Sequence, residues 1–290
     1  MKKNITKYLL LALACLGLQS CLFQEENYFD DSSANRATAD VSRCGELLKG
    51  APNGWVMEYY VGKDYSLGGI TLLCRFDGQR VTMASQMSEA DETVSSLYSV
   101  KSEQATMLSF DTYNYLVHYF GQPQGSMSDD PNGTLGGDYE FIISSASAER
   151  IELKGKKYGN RIVMKALTED QTWKQYLTKI KKVEDDAFFY EYDLLMDGLY
   201  TGQMIRSNYT FIVTYYDEIG KVHQKTVPFM FTADGLRFHE PVTIDGQTMQ
   251  NFVWKNELIS FVCTDEGATG VKLAGVYTAG YQSYDYYPGT

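Results

Sequence analysis

Three histidines, six prolines and five cysteines in 290 residues leave little material for several common chemistries. His118, His223 and His239 never fall at a metal-ligand spacing such as HExxH, and no CxxC pair or Cys/His cluster accompanies them, so no local zinc motif exists. There is no GxSxG elbow and no Walker loop, which removes the familiar serine-hydrolase and nucleotide-binding signatures. No apolar run reaches the roughly 20 residues that a membrane-crossing helix needs. Positive charge is also short. With 26 Lys and Arg against 37 Asp and Glu the chain carries a net charge of -11, a field that repels nucleic acid and anionic membrane surfaces.

The first 21 residues carry the clearest positive signal. Lys2, Lys3 and Lys7 form a basic start, Tyr8 to Leu18 an apolar run too short to span a bilayer, and Leu18-Gln19-Ser20-Cys21 resembles a lipobox, with Gln19 an imperfect fit. Residues 1–20 read as a lipoprotein signal peptide and Cys21 as the lipidated first residue of the mature chain, anchored to a membrane by several acyl chains. Cleavage removes three lysines and no acid, leaving 23 cations against 37 acids, a net charge of -14. Residues 21–36 read as a flexible tether, and Gln24-Glu25-Glu26 within it resembles an acidic export signal for the exterior face of the outer membrane, or simply a solvated linker. Cys44, Cys74 and Cys263 can form at most one disulfide and are most simply buried apolar residues.

The rest predicts a mainly β (α+β) protein: antiparallel meander sheets in two lobes, with an N-terminal helix and a connecting helix. Val41, Cys44, Leu47 and Leu48 share one helical face over 37–49, and Pro52-Asn53-Gly54 ends that helix. Strands follow at 55–61, 69–76 and 80–86 around the Asp77-Gly78 turn, then at 96–101, 105–111, 138–144, 150–154 and 161–166. A short aromatic helix spans 113–120. Thr168-Glu169-Asp170-Gln171 has capping-box spacing ahead of an apolar face at Trp173, Tyr176, Leu177 and Ile180, which predicts the connecting helix at about 169–183. Beyond it, strands are expected at 209–216, 222–232, 236–238, 242–244, 248–254 and 258–264. The domain reading is thus a lobe over 37–167, the connecting helix within 168–195, a second lobe over 196–275 and a Tyr-rich tail at 276–290.

Candidate sites lie mostly around the long loop at 121–137. Asp129, Asp130 and Asn132 offer oxygen ligands for Ca²⁺ in a glycine-rich stretch, without the spacing of an EF-hand; an unliganded turn of Asp, Asn, Pro and Gly reads the same way. No other cofactor is expected. Tyr113 and Tyr139, with Asp138 beside the latter, form a candidate ligand-binding face, although most of the 23 tyrosines and 14 phenylalanines should fill the core. Lys154-Gly155-Lys156-Lys157-Tyr158-Gly159-Asn160-Arg161 could hold an anion or could be a hairpin turn guarding a strand edge. His118 reads as a satisfied structural residue on a buried helix, and His239, beside Glu240 and Pro241, as solvent-facing.

Taken in order, Arg36, Asn53-Gly54-Trp55, Gly69, Phe76, Ser96-x-Tyr98, Leu108 to Asn114, Gly136 to Phe141 and Leu153-Lys154-Gly155-Lys156-Lys157-x-Gly159-Asn160 resemble a family of uncharacterised Bacteroidetes cell-envelope lipoproteins that carry a domain of unknown function. The resemblance covers most of residues 34–265. It implies a β-rich envelope lipoprotein and transfers no catalytic residue. Family members are longer, and Tyr284 to Thr290 looks like the opening of a further β segment, so a truncated member with a tail lacking its pairing strands is expected. The functional expectation is non-catalytic recognition of a glycan or peptide at the cell surface. A structural or docking subunit that meets an outer-membrane protein through an exposed sheet edge near Ala274 or through the unpaired tail after it is the alternative, and a hydrolase the third reading.

Overall fold

In the computed structural model residues 32–124, 133–217 and 219–277 are described. The chain divides at Ala39 into an N-terminal unit and a unit that runs from Asp40. In the first, residues 32–39 open helix α1 (Ser33–Lys49), with Thr38 Oγ1 donating to the Ala34 carbonyl.

The second unit holds two closed antiparallel barrels, each of eight strands joined in simple sequence order. The first runs β1 (Trp55–Val61), β2 (Gly68–Phe76), β3 (Arg80–Ser85), β4 (Val94–Ser102), β5 (Thr106–Phe110), β6 (Glu140–Ala146), β7 (Arg150–Gly155) and β8 (Arg161–Ala166), with the helical turn α2 (Tyr115–His118) between β5 and β6. It closes where Trp55 to Glu58 pair antiparallel with Val163 to Ala166. After helix α3 (Trp173–Asp186), the second barrel repeats the plan: β9 (Glu191–Met196), β10 (Leu199–Ser207), β11 (Thr210–Tyr216), β12 (Val222–Phe231), β13 (Gly235–Ile244), β14 (Gln247–Lys255), β15 (Ser260–Cys263) and β16 (Val271–Gly275). Here β9 pairs with β16, Met196 opposite Val271. Two mainly β lobes with few helices are thus what the alternating pattern predicts, and the barrel closure goes beyond it.

Several details differ from the sequence expectation. β9, β10 and β16 were not expected, and β9 brings the start of the second barrel to Glu191, inside the span assigned to the connecting segment. The strands expected at 236–238 and 242–244 are one strand, β13, whose register with β14 slips between Arg237 and Val242. The capping box of α3 lies one turn later than expected: Thr172 Oγ1 accepts from Gln175 N while the Gln175 side chain accepts from Thr172 N. Thr168 instead bonds Asp170. β16 is hydrogen-bonded on one side to β15 and on the other to β9, so no open sheet edge exists near Ala274. The tail at 278–290 lies outside the described residues.

Eight strands leave a barrel interior just wide enough for side chains, and aromatic rings fill both. Trp55, Tyr59, Phe110 and Phe141 are fully buried in the first; Tyr192, Phe211, Phe229, Phe231, Phe238, Phe252 and Phe261 in the second. Each buried ring contributes about 1.5–3 kcal/mol of hydrophobic stabilisation. Each barrel is also fastened to the helix that precedes it. Trp55 Nε1 donates to the Leu48 carbonyl at the end of α1 (2.8 Å), and the Tyr192 hydroxyl donates to the Ala187 carbonyl just past α3. A helix leading into a meander barrel is therefore a module used twice. Cys44, Cys74 and Cys263 are all buried and free, as the composition suggested.

Helix α3 joins the modules physically. Leu177 packs on the outside of the first barrel against Val56, Leu73, Ala84 and Leu167, while Ile180, Val183 and Ala187 enter the core of the second. The barrels also meet directly: a Cβ at Gly68 would lie 2.1 Å from the Tyr209 carbonyl oxygen, so only glycine fits where β2 abuts the second barrel. Truncation of Ile180, fully buried, to Ala should cost about 2–5 kcal/mol of stability by urea titration. Lys179→Ala on the exposed face should stay within about 0.5 kcal/mol.

Candidate ligand-binding cleft

Where the barrels meet, a cleft of about 430 Å³ opens, lined from the first by Glu58, Tyr60, Tyr65, Arg150, Arg161, Val163 and Lys165 and from the second by Arg237, His239, Glu240, Pro241, Gln250 and Asn251. That volume is within the range of small-molecule sites. Its floor is an ion cluster on the Glu58 carboxylate, which is 11% exposed. Lys165 Nζ, from the closing strand β8, donates to Oε1 at 2.8 Å, and Arg237 Nη2, from the second barrel, donates to Oε2. Burial alone would push the Glu58 carboxyl up, but the Arg237 guanidinium and the Lys165 ammonium outweigh it and hold the carboxyl below its ordinary value. Burial likewise opposes the charge on Arg237, and Glu58 overcomes it, raising the guanidinium further.

Both barrels depart from regular geometry at this place. In the β1–β2 connection Asp64 and Tyr65 have φ of 53° and 57°, between Gly62 at 94° and Gly68 at 71°. For a residue with a side chain the left-handed region costs roughly 1–2 kcal/mol, and such strain gathers at functional sites. Its effect is to carry the Tyr65 ring across to His239 of the second barrel, with centroids 4.0 Å apart; the Tyr65 hydroxyl accepts from Arg161 N at 3.4 Å.

His239 is presented by the irregular stretch of β13. Arg237 pairs with Asn251 and Val242 with Met249, so 238–241 bulge opposite Gln250 alone. A bulge re-aims side chains, and Pro241, which lacks an N–H, suits an unpaired position. Gln250 Nε2 donates to the carbonyls of Phe238 and His239 at 3.2 and 3.3 Å, satisfying the backbone that the bulge leaves out of the ladder. His239 is not the solvent-facing residue expected from its neighbours. It lies half-buried between Tyr65 and Tyr60, whose ring centroid is 4.3 Å away. Burial, with help from Arg237 and Arg161 and against Glu240, depresses its pKa and favours the neutral imidazole.

The residues singled out from sequence lie elsewhere. Tyr113 and Tyr139 do converge, both exposed, on His118 between them, with ring centroids at 5.5 and 4.6 Å and the Tyr139 ring stacked. Asp138 does not join them. It is buried and accepts from the backbone N–H groups of Lys157 (2.7 Å) and Tyr158 (3.1 Å), which organises the β7–β8 turn. Burial raises its pKa against those two donors. Cys21, Asp129, Asp130 and Asn132 lie outside the described residues, and among the described residues no group of three His, Cys, Asp or Glu is placed to hold a metal. In the cationic turn, Lys156 is held by Glu103 and Glu140 and Lys157 lies over the Tyr158 ring, so only Arg161 reaches the cleft.

Three comparisons bear on identity. The family model for a domain of unknown function, DUF4302, matches residues 25–256, so the chain belongs to that family. No curated protein matches the sequence. Among solved structures, the chain aligns with the sliding clamp, DNA polymerase III subunit beta (DnaN), of Bartonella birtlesii LL-WM9 at 11% identity and a TM-score of 0.12, over 83% of this chain and 66% of that one. This chain spans less than two thirds of the clamp subunit, and a likeness so slight supports no conclusion about fold or function.

Removing the Glu58 charge should loosen the junction of the barrels. Glu58→Gln leaves the enclosed Arg237 without its carboxylate and should cost about 2–3 kcal/mol in urea titration, below the full figure for a buried pair because Lys165 is 42% exposed. The lowered Glu58 pKa means that its stabilisation is complete above 4.5 and fades as pH falls toward the native value. The lowered His239 pKa acts in the same sense from 6.5 downward, because the unfolded chain takes up the proton first. The native protein should therefore lose stability on acidification through both intervals, and Glu58→Gln should flatten the lower one.

Proposed function

We propose that this DUF4302 protein is a lipid-anchored protein of the outer membrane, facing the cell exterior, that captures a glycan or peptide in the cleft between its barrels and performs no catalysis on it. The signal at residues 1–21 supports the anchor at Cys21 and the location. The observation that carries the binding role is the meeting of two irregularities, one from each barrel: the strained Tyr65 turn and the β13 bulge bring an aromatic ring and an imidazole into tilted contact beside Arg150, Arg161 and Arg237. Among the described residues six non-glycine residues take a positive φ, and Tyr65 is the one of them that lines the cleft.

The packed interiors direct binding to this outer cleft, because rings occupy the space in which other eight-stranded barrels hold a ligand. Within the lining, the paired groups are engaged in ion clusters and stacking, without a nucleophile and base in contact.

Two measurements test the reading. Cells fed a labelled fatty acid should incorporate it into the wild-type chain and not into Cys21→Ser; equal labelling would remove the anchor. Folded protein applied to a glycan array and used in a peptide pull-down should retain ligands from one of the two, and silence in both would sink the recognition role.

A further inference from the structure

We infer that the ligand of the inter-barrel cleft is an acidic saccharide, a sugar ring bearing a carboxylate. The inference rests on the recognition reading above and adds the chemical class. Its first support is a charge count. Glu58 is shared by Lys165 and Arg237, and Glu152, beside the cleft, is shared by Arg150 and Arg161. Each carboxylate thus faces two cations, leaving one positive charge over at both places, of which Glu240 on the rim offsets one. A local excess of positive charge in a chain of net charge -11 marks an anion site and also steers an anion toward it.

The two clusters differ in what they leave available. Arg237 is enclosed, 19% exposed and committed to Glu58, whereas Arg150 and Arg161 are 44% and 63% exposed. Both of the latter lean on a single atom, Glu152 Oε1: Arg150 through Nε and Nη2 at 3.1 and 3.0 Å, Arg161 through Nη2 at 3.2 Å. Among the described residues, the other guanidinium donors of Arg161 have no side-chain partner. A planar guanidinium with open N–H groups is the side chain best matched to a carboxylate.

The second support is the Tyr65 ring. Its hydroxyl is hydrogen-bonded to the backbone N–H of Arg161, so ring and guanidinium belong to one patch. Val163 and Pro241 are the aliphatic residues of the lining, too few to make the apolar pocket that a peptide side chain would need. A flat polar ring with one C–H face and a carboxylate at its edge matches what remains: the C–H face against Tyr65, the carboxylate on Arg161 and Arg150.

Calorimetric titration of the whole chain with tetragalacturonate, with its fully methyl-esterified form and with a glutamate-rich peptide separates the alternatives. The acid should bind, more weakly as salt is added, and esterification, which keeps the ring and removes the charge, should lower affinity about tenfold or more. Arg161→Gln should lower affinity for the acid by about tenfold. Tyr65→Asn, which keeps a residue tolerant of the left-handed turn and removes the ring, should do the same with Tm unchanged. If the ester binds as well as the acid, or the peptide binds in its place, the saccharide-acid inference is overturned while recognition at the cleft stands. If none of the three binds and the array and pull-down are also silent, the recognition reading falls with it. A fall in Tm that accompanies the loss of binding in Tyr65→Asn would make the ring a brace between barrels and overturn its part in ligand binding.

Discussion

A carboxylate removed from water must be met by cations, and the Glu58 carboxylate is the point on which this structure turns. Its two partners come from different levels of the fold. Lys165 sits on β8, the strand that closes the first barrel against β1; Arg237 sits on β13 of the second barrel. One charged group therefore requires that the first sheet be closed and that the second module be docked. Hydrophobic contact through α3 and the close fit of Gly68 against Tyr209 bring the barrels together without fixing their orientation in this way.

Around that fixed point the molecule spends regularity selectively. Strand pairing is in register over nearly all of the first barrel, and the rings inside both barrels are buried in edge-to-face and stacked contacts such as Phe211 with Phe229. Left-handed residues and register shifts also occur elsewhere (Asp197, Asn208, Asp245 and Ile259; Tyr200/Gly202 and Ile143/Ser145), but two irregularities, the Tyr65 turn and the β13 bulge, meet at the rim of the inter-barrel cleft. Both would cost stability in a sheet that served only itself, and each delivers one ring to the same contact.

The strands of the first barrel were legible because alternation and turn chemistry are local. Trp55 to Val61 and Arg161 to Ala166 could be read to the residue. Their pairing with each other could not, since nothing near residue 55 encodes a partner at 166. β9 and β10 went unread although Asp197-Gly198, with φ of 51° and 83°, is the same hairpin signal as Asp77-Gly78. The run Glu191-Tyr192-Asp193-Leu194 was absorbed into the helix before it. The cleft was illegible for a stronger reason. Glu58 and Arg237 are 179 positions apart in sequence, and the strain at Tyr65 leaves no mark on the residue itself. Proximity to a long loop, the cue that pointed to Tyr113 and Tyr139, identified exposed rings and could not distinguish them from Asp138, whose polar neighbourhood is a buried turn.

The simple strand order has a kinetic consequence. In each barrel seven of the eight pairings join strands that follow one another along the chain, and only the last, β1 with β8 or β9 with β16, reaches across the whole module. Loop-closure entropy is thus met once per barrel, after neighbouring hairpins have already shortened the effective distance. The first barrel contains every strand that it needs by residue 166, before α3 begins. Assembly can proceed as two successive zippering events, each ending in a single long-range closure, with Glu58 left exposed by the first event until Arg237 arrives with the second.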